Sequence, residues 1–523
     1  MGRIIIIGSG LAGLSAAIEL AKKDKACVLV SLTGSERAQS VLAEGGINAA
    51  LDTMGENDDV TEHFNDTMRG GAFLADPNAV EGLTENAPGI VRELIAWGVP
   101  FNMKDKEPLL RPFGGQKHRR TAFAQSSTGK QIMTSVIDAA RRYEAKGLIT
   151  RMAHHELADI IIKEGVCRGA VIRDSYSGKC LSLKGSVIVC TGGLAGFFPA
   201  KTTGTTVNSG AAASLLFSKG VAFSNLEMIQ FHPTTIGISK KRLLVSEAAR
   251  GEGGRLYIER GGEKWYFMEE KYPELGNLMP RDVVSREMFF ARRREDCGEQ
   301  VYLDLTGLSE EVWKSRLSDL REEIISYLSI DPKSTPVPVE EGIHYFMGGI
   351  DVDVSHHTNI KGLYAAGECC SQYHGANRLG GNSMLGAIYG GKVAAAAAMN
   401  DGLGETYSEQ PCEIEYNKAP DRFSIEMSEI LLAGLGIVRS GEGISAALEK
   451  LRTLECPNSA CEAKMHLAEA MLLSALERRE SRGAHYREDF PDRDEELRKT
   501  IVARYDNGEV RTELREIPER RSV

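Results

Sequence analysis

Four consecutive isoleucines, Ile4–Ile7, stand at the start of the chain and give way at once to glycines. A short, unbroken apolar run of this kind predicts a strand buried on both faces. "GLSAAIELAKK" (13–23) follows with apolar residues at helical spacing, and "ACVLVSL" (26–32) predicts a second buried strand, so the chain opens on one β-α-β unit. Glycine-rich stretches, "GGINAALD" and "RGGAFLADP", come next. Then a helix is expected near 80–97, loops to about 125, and a helix over "GKQIMTSVIDAARRYEAKG". "ELADIIIKEGVCRGAVIRD" and "KCLSLKGSVIVCTGG" predict hairpin-like strands that return to the same sheet, and "IKGLYAAGECC" (360–370) another buried strand ending in glycine. From about 226 the pattern changes. Trp265, Trp313 and many charges fall among mixed elements, as in an inserted α+β unit, and beyond 400 the chain is helical and highly charged. The tail from 500, poor in apolar residues, reads as an extended strap.

With 523 residues, 42% of them hydrophobic, the chain is long enough for about three structural units. A net charge of −10 against 63 Lys and Arg leaves no basic footprint, so nucleic acid is not expected as a partner. The ten cysteines include the pairs Cys369/Cys370 and Cys456/Cys461, whose spacing matches neither a zinc nor an iron–sulphur ligand set; no metal site is expected. "MGRIIIIGSG" is not a signal peptide, and no window reaches the ~18 apolar residues of a membrane helix. The expected location is cytoplasmic, with any membrane reached through a partner subunit.

Gly8, Gly10 and Gly13 form G-x-G-x-x-G directly between the first strand and the first helix. The first glycine permits the tight turn, the second lets backbone approach a pyrophosphate, and the third lets helix and strand pack closely. An acidic residue normally follows about 20 positions on to hold a ribose, but Ser31 stands there, so the motif alone leaves FAD or NAD open. Three later glycine stretches, 43–50, 190–196 and 364–384, favour FAD. An extended flavin dinucleotide uses late segments of the chain to close over its ribityl and ring, and Glu368 is placed to hold a ribose or ribityl hydroxyl.

These stretches and several others occur in order along nearly the whole chain: "AEGGINAA", "EHFNDTMRGG", "FGGQKHRRTAFAQSSTGK", "MIQFHPTT", "SEAARGEGG", "PRDVVSR", "GIHYFMGGIDVD", "HGANRLGGNSMLGAIYGG" and "ESRGAHYREDFPDRD". Together they resemble the flavoprotein-subunit family of fumarate reductase, succinate dehydrogenase and L-aspartate oxidase. The resemblance implies an α/β fold: a Rossmann-like FAD-binding domain in two parts, 1–225 and 346–400, an inserted α+β capping domain at 226–345 that carries substrate, a helical domain at 401–500 and a C-terminal extension at 501–523. It implies FAD contacts at Gly8, Gly10, Leu11, Ala12 and Gly13; at Ser31, Leu32 and Ser40; at Ala43, Glu44, Gly45 and Gly46; at Thr191, Gly192 and Gly193; and at Glu368, Asn382, Ser383 and Leu385. His232, His344, Arg378 and Arg281 would line a dicarboxylate site, Ser246 would bind the same carboxylate, and Glu247 and Arg250 would join Arg281 in a proton path. Side-chain chemistry agrees: a buried dianion needs fixed positive charge, and a guanidinium grips a carboxylate through two parallel bonds.

Departures refine the expectation. Relatives that attach FAD covalently carry a histidine where this chain has Gln39, so FAD is expected to be non-covalent, with a lower potential that favours fumarate reduction. Glu44 in "LAEGG" points the same way. Phe113 occupies the place where aspartate oxidases carry a Glu for the substrate ammonium, and Ser209 stands where the family often has an FAD-contacting Asp. The leading expectation is fumarate reduction with electrons from an iron–sulphur subunit. The alternatives are L-aspartate oxidase and a flavin electron-transfer subunit of a larger redox complex.

Overall fold

The computed structural model describes residues 3–238, 241–402 and 407–521; the outermost residues of the first and last expected segments, 1–2 and 522–523, lie outside the described residues. The isoleucine run is the centre of a parallel sheet. Its five strands lie in the order Leu363–Ala365, Val187–Val189, Ile4–Ile7, Cys27–Ser31 and Ile149–Ala153, and every neighbour pair is parallel. Parallel strands are covered by helices on their faces, which is why the strands read as continuous apolar runs. Helix Leu11–Lys22 covers one face beside helix Asn382–Asn400. The two helices approach closely: a Cβ on Gly391 would lie 2.3 Å from Ala12 O.

The hairpin strands do not all return to this sheet. His155–Lys163, Val166–Asp174 and Cys180–Lys184 join Glu409–Cys412 in a separate antiparallel sheet, and only Val187–Val189 goes back to the parallel one. The reason lies in the connection. A two-residue turn, Glu164–Gly165 with φ of 51° and 73°, makes its flanking strands antiparallel neighbours, whereas a parallel pair needs a long crossover.

The inserted unit is a six-stranded antiparallel sheet with its own core, which includes Leu256, Ile258, Val301, Leu303 and Trp313. The strand that enters it, Ile229–Ile238, pairs with the strand that leaves it, Val337–Phe346, in a register that sets His232 opposite Gly342. That register places His232 next to His344 across the neck of the insert.

Three helices follow, Asp421–Gly434, Gly441–Arg452 and Ser459–Glu477, packed through Leu431, Leu448 and Met471. The tail read as an extended strap is a β-hairpin instead. Lys499–Asp506 and Glu509–Glu516 turn through Asn507–Gly508, both at positive φ, and Lys499–Asp506 pairs with Phe223–Ser224. Burial of Ile501, Val502 and Ala503 fastens it. Among the described residues no helix is long and apolar enough to cross a membrane.

Candidate active site

One cavity of about 1320 Å³ runs from the carboxyl end of the parallel sheet to the neck of the insert. It exceeds the roughly 300–1,000 Å³ of an ordinary small-molecule pocket. At the sheet end its wall is the glycine turn. Gly8 has φ of 115°, and a Cβ there would lie 2.1 Å from Cys190 O, so only glycine fits. Helix Leu11–Lys22 begins at Gly10 with no side chain capping it, apart from Ser40 Oγ, which accepts the Leu11 N–H at 3.3 Å. An uncapped helix start of this kind attracts phosphate. Leu11, Ala12, Ser31, Leu32 and Thr191–Gly193 complete this end. Ser31 donates its hydroxyl to Thr33 O at 2.8 Å, which leaves the oxygen free only to accept. Ala43–Gly46, Glu368 and Ser383 line the middle of the cavity. Elongated shape, phosphate-seeking helix start and distributed acceptors fit an FAD.

Four of the expected residues stand behind this lining. Gly13 presses the helix onto its strand, since a Cβ there would lie 1.8 Å from Gly8 O. The Asn382 carboxamide is bound to Asn48, His63 and Thr67, Leu385 is fully buried in the core, and buried Arg250 donates to Asn277 O at 2.5 Å.

At the neck, charges converge from three distant segments. Arg281, the first residue of helix Arg281–Ala291, donates from Nε to Glu247 Oε2 at 2.7 Å and from Nη1 to Gln230 Oε1 at 3.1 Å. Arg378 Nη2 donates to that same Gln230 oxygen at 3.0 Å, and its guanidinium lies 4.4 Å over the Tyr345 ring. Glu247 Oε1 accepts the Gly114 N–H at 2.8 Å, and Arg250 approaches it at 3.9 Å. Three guanidinium groups against one carboxylate leave two uncompensated positive charges in a buried cluster. Burial, then the charge of Arg281, lowers Arg378 to about 9. Burial lowers Arg250 to about 10, with Arg281 adding to the effect. Burial would raise Glu247, but Arg281, Arg250 and the Gly114 N–H outweigh it and hold the carboxyl below its usual range.

The two histidines face the same cavity, rings 5.1 Å apart. Burial and Arg281 hold both well below the ordinary histidine value, so both are neutral. His232 Nδ1 lies 3.1 Å from Thr234 O and 3.2 Å from Thr234 N, while its buried Nε2 has no partner; Arg378 Nε is likewise buried without one. Buried polar atoms of this kind are costly unless a partner arrives. Ser246 caps a short helix by accepting the Ala248 N–H at 3.3 Å, and Phe113 packs against Gly45 and Gly380.

Sequence reasoning passed over three supports. Gln230 fixes both arginines: its Nε2 donates to Asn377 Oδ1 and to Arg378 O at 2.7 and 2.8 Å, which aims Oε1 at the guanidinium groups. Its signal was present, since it lies two residues before His232 in a strand and so on the same face. Asn208 ties Thr191 O and Gly193 O at 2.7 and 2.6 Å. The "SRGAH" segment braces the arginine loop: Ala484 N donates to Ala376 O at 2.9 Å, while buried Arg478 holds Glu227 at 2.7 Å.

Glu368 offers a pH test. Burial pushes its carboxyl up to about 7, although the Phe346 N–H and Arg378 pull against it. An acid raised on folding stabilises the fold only while protonated. Its contribution is complete below the unfolded value of 4.5 and is lost as pH climbs through about 7. Glu368→Gln is permanently neutral. In FAD-free protein its melting temperature should therefore gain on wild type between about pH 5 and about pH 8; a constant difference would show that Glu368 titrates normally.

Known proteins share this architecture and these segments. A family model described as an FAD binding domain matches residues 3–384, and one described as the fumarate reductase flavoprotein C-terminus matches 458–521. The succinate dehydrogenase flavoprotein subunit of Bacillus subtilis is 37% identical over 96% of this chain and 94% of its own length. The fumarate reductase flavoprotein subunit of Haemophilus influenzae is 31% identical, over 98% and 93%. Among solved structures, a mutant FrdA chain of E. coli quinol fumarate reductase superposes with a TM-score of 0.87 at 29% identity, covering 99% of this chain and 96% of that one.

Proposed function

The chain belongs to the fumarate reductase and succinate dehydrogenase family of FAD-dependent oxidoreductases, and on that premise we propose that it reduces the C=C bond of fumarate to give succinate. The observation that carries this reading is the pair of uncompensated positive charges at the neck, held beside the unpartnered nitrogens Arg378 Nε and His232 Nε2 in the cavity that also bears the dinucleotide turn. Two carboxylates match two charges. Arg378 grips one carboxylate, and His232, His344 and Ser246 donate to the other. Donors fixed before the reaction draw electron density out of the double bond, and such preorganised electrostatics is usually the largest catalytic contribution. FAD, when bound, supplies the hydride. Arg281 gives the proton to the other carbon, and Glu247, with Arg250 behind it, restores that proton.

A free guanidinium does not release a proton near neutrality. Arg281 acts here because carbanion character develops within its reach and Glu247, 2.6 Å away, is placed to pass a proton back to it. Gln39 Oε1 is taken up by the Thr205 N–H at 2.6 Å, and a carboxamide forms no link to a flavin, so the FAD is held non-covalently. Phe113, 3% exposed, offers an apolar ring where an amine substrate would need an acid, which favours fumarate over aspartate. Electrons come from an iron–sulphur partner, in keeping with relatives that are named as subunits.

The FAD-loaded chain, reduced with a low-potential dye, is expected to be reoxidised rapidly by fumarate. Reduction of the oxidised flavin by L-aspartate would replace this reading with the aspartate oxidase one. No response to either compound would leave only electron transfer to a partner.

A further inference from the structure

His344 reaches the substrate end of the cavity on the strand that leaves the insert, and Thr203 lies behind it. The Thr203 hydroxyl is 2.8 Å from His344 Nδ1. The loop carrying Thr203 is fastened without that hydroxyl. Thr203 N donates to Ile343 O at 2.9 Å, Ile343 N to Lys201 O at 2.7 Å, and Thr202 Oγ1 to Ile343 O at 3.1 Å. At its far end the Thr205 N–H is held by Gln39 at 2.6 Å. Gly204 keeps the loop tight, since a Cβ there would lie 2.6 Å from the Ala195 Cβ. The hydroxyl is therefore spare as far as folding goes, and it is aimed at one ring nitrogen.

We propose that Thr203 is a positioning residue for substrate binding: its hydroxyl donates to His344 Nδ1, so that Nε2 carries the ring proton toward a substrate carboxylate. This rests on the dicarboxylate reading of the site. A neutral imidazole has one donor and one acceptor, and its partner at one nitrogen sets the other. If Nδ1 donated instead, Nε2 would turn a lone pair toward an anion. The buried Thr203 proton would also lose the acceptor that Nδ1 provides, and an unmet donor in a buried site is costly. At His232 the Nδ1 contacts are backbone ones, Thr234 O at 3.1 Å and Thr234 N at 3.2 Å. A side-chain substitution leaves such backbone contacts in place, so Thr203 is the adjustable half of the pair.

The test uses the full FAD-loaded chain and malonate as probe, read by the flavin spectral change. Thr203→Val keeps the shape and removes the donor. Its malonate Kd should rise roughly ten- to hundredfold, the range for a hydrogen bond to a charged group. Thr203→Ser should restore it to within about threefold of wild type. A Val variant as tight as wild type, or a Ser variant no better than Val, overturns the proposal. Histidine 15N spectra of the wild-type protein give a readout that does not depend on a Thr203 variant, with His344 identified by the signal lost in His344→Gln. An unprotonated Nδ1 is expected, and a protonated one overturns the assignment. If malonate leaves the wild-type spectrum unchanged, the dicarboxylate reading fails, and the 15N result still decides what Thr203 does to the ring.

Discussion

Arg281→Lys is expected to cut fumarate turnover by about a hundred- to ten-thousandfold, the usual worth of a positioned general acid, while FAD and malonate stay bound. The substitution keeps the charge that the buried cluster needs. Removing the charge outright would leave Glu247 buried and unpaired, which costs about 3–5 kcal/mol and confuses chemistry with folding. What lysine loses is geometry. The guanidinium reaches Glu247 through Nε and Nη2 and Gln230 through Nη1, three bonds in one plane. A single ammonium on a flexible stem cannot hold both partners and still face a substrate carbon. The measurement is the fumarate-driven reoxidation rate beside the malonate Kd. A fall in rate at constant Kd supports proton donation. Turnover within about tenfold of wild type would remove Arg281 from the proton path, because that is less than general acid catalysis contributes.

Local patterns carried much of the molecule. The isoleucine run, the glycine turn and the apolar strand before Gly367 are short-range signals, and each became a part of the parallel sheet where expected. The hairpin of Glu156–Asp174 also read correctly as a pair of strands. Its sheet did not: the two-residue turn keeps the pair antiparallel, and Glu409–Cys412 joins that sheet from far along the chain. The tail shows the opposite failure. "DNGEV" contains an Asn-Gly turn signal of the kind that closes tight hairpins. Low apolar content outweighed it, although burial of three residues, Ile501, Val502 and Ala503, suffices once a sheet edge is offered.

The site divides along the same line. The resemblance pointed to His232, His344, Arg281 and Arg378, and the fold gathers all four at one cavity by strand register and by a helix start. Their supports were less legible. Thr203 is uncharged and sits among residues of similar type, so nothing in its neighbourhood marks it, and Gln230 has only its same-face spacing to His232 as a signal. Their roles come from orientation: an oxygen aimed at two guanidinium groups, and a hydroxyl aimed at a ring nitrogen. The long "ESRGAHYREDFPDRD" stretch stood out in the sequence, yet its contact with the Arg378 loop runs through backbone atoms of Ala376 and Ala484, which no side-chain pattern reveals.

The arginine loop also carries the other large effect. Arg378→Ala should weaken malonate binding roughly thirty- to several-thousandfold, the range for losing one member of a buried, hydrogen-bonded charge pair. The two net charges at the neck would fall to one, so a dianion would enter uncompensated. FAD should stay, since the dinucleotide turn lies at the far end of the cavity. Acid–base behaviour separates this from general damage. Burial and the neighbouring Arg281 bring Arg378 down to about 9, so the guanidinium of wild-type protein loses its charge in a reachable range. A binding group that must be charged releases its ligand as pH rises past its pKa. Wild-type malonate Kd should thus climb about tenfold per pH unit above about 9, and the climb should vanish in Arg378→Ala. If the variant keeps the slope, the titrating group is another one and the grip on the carboxylate lies elsewhere.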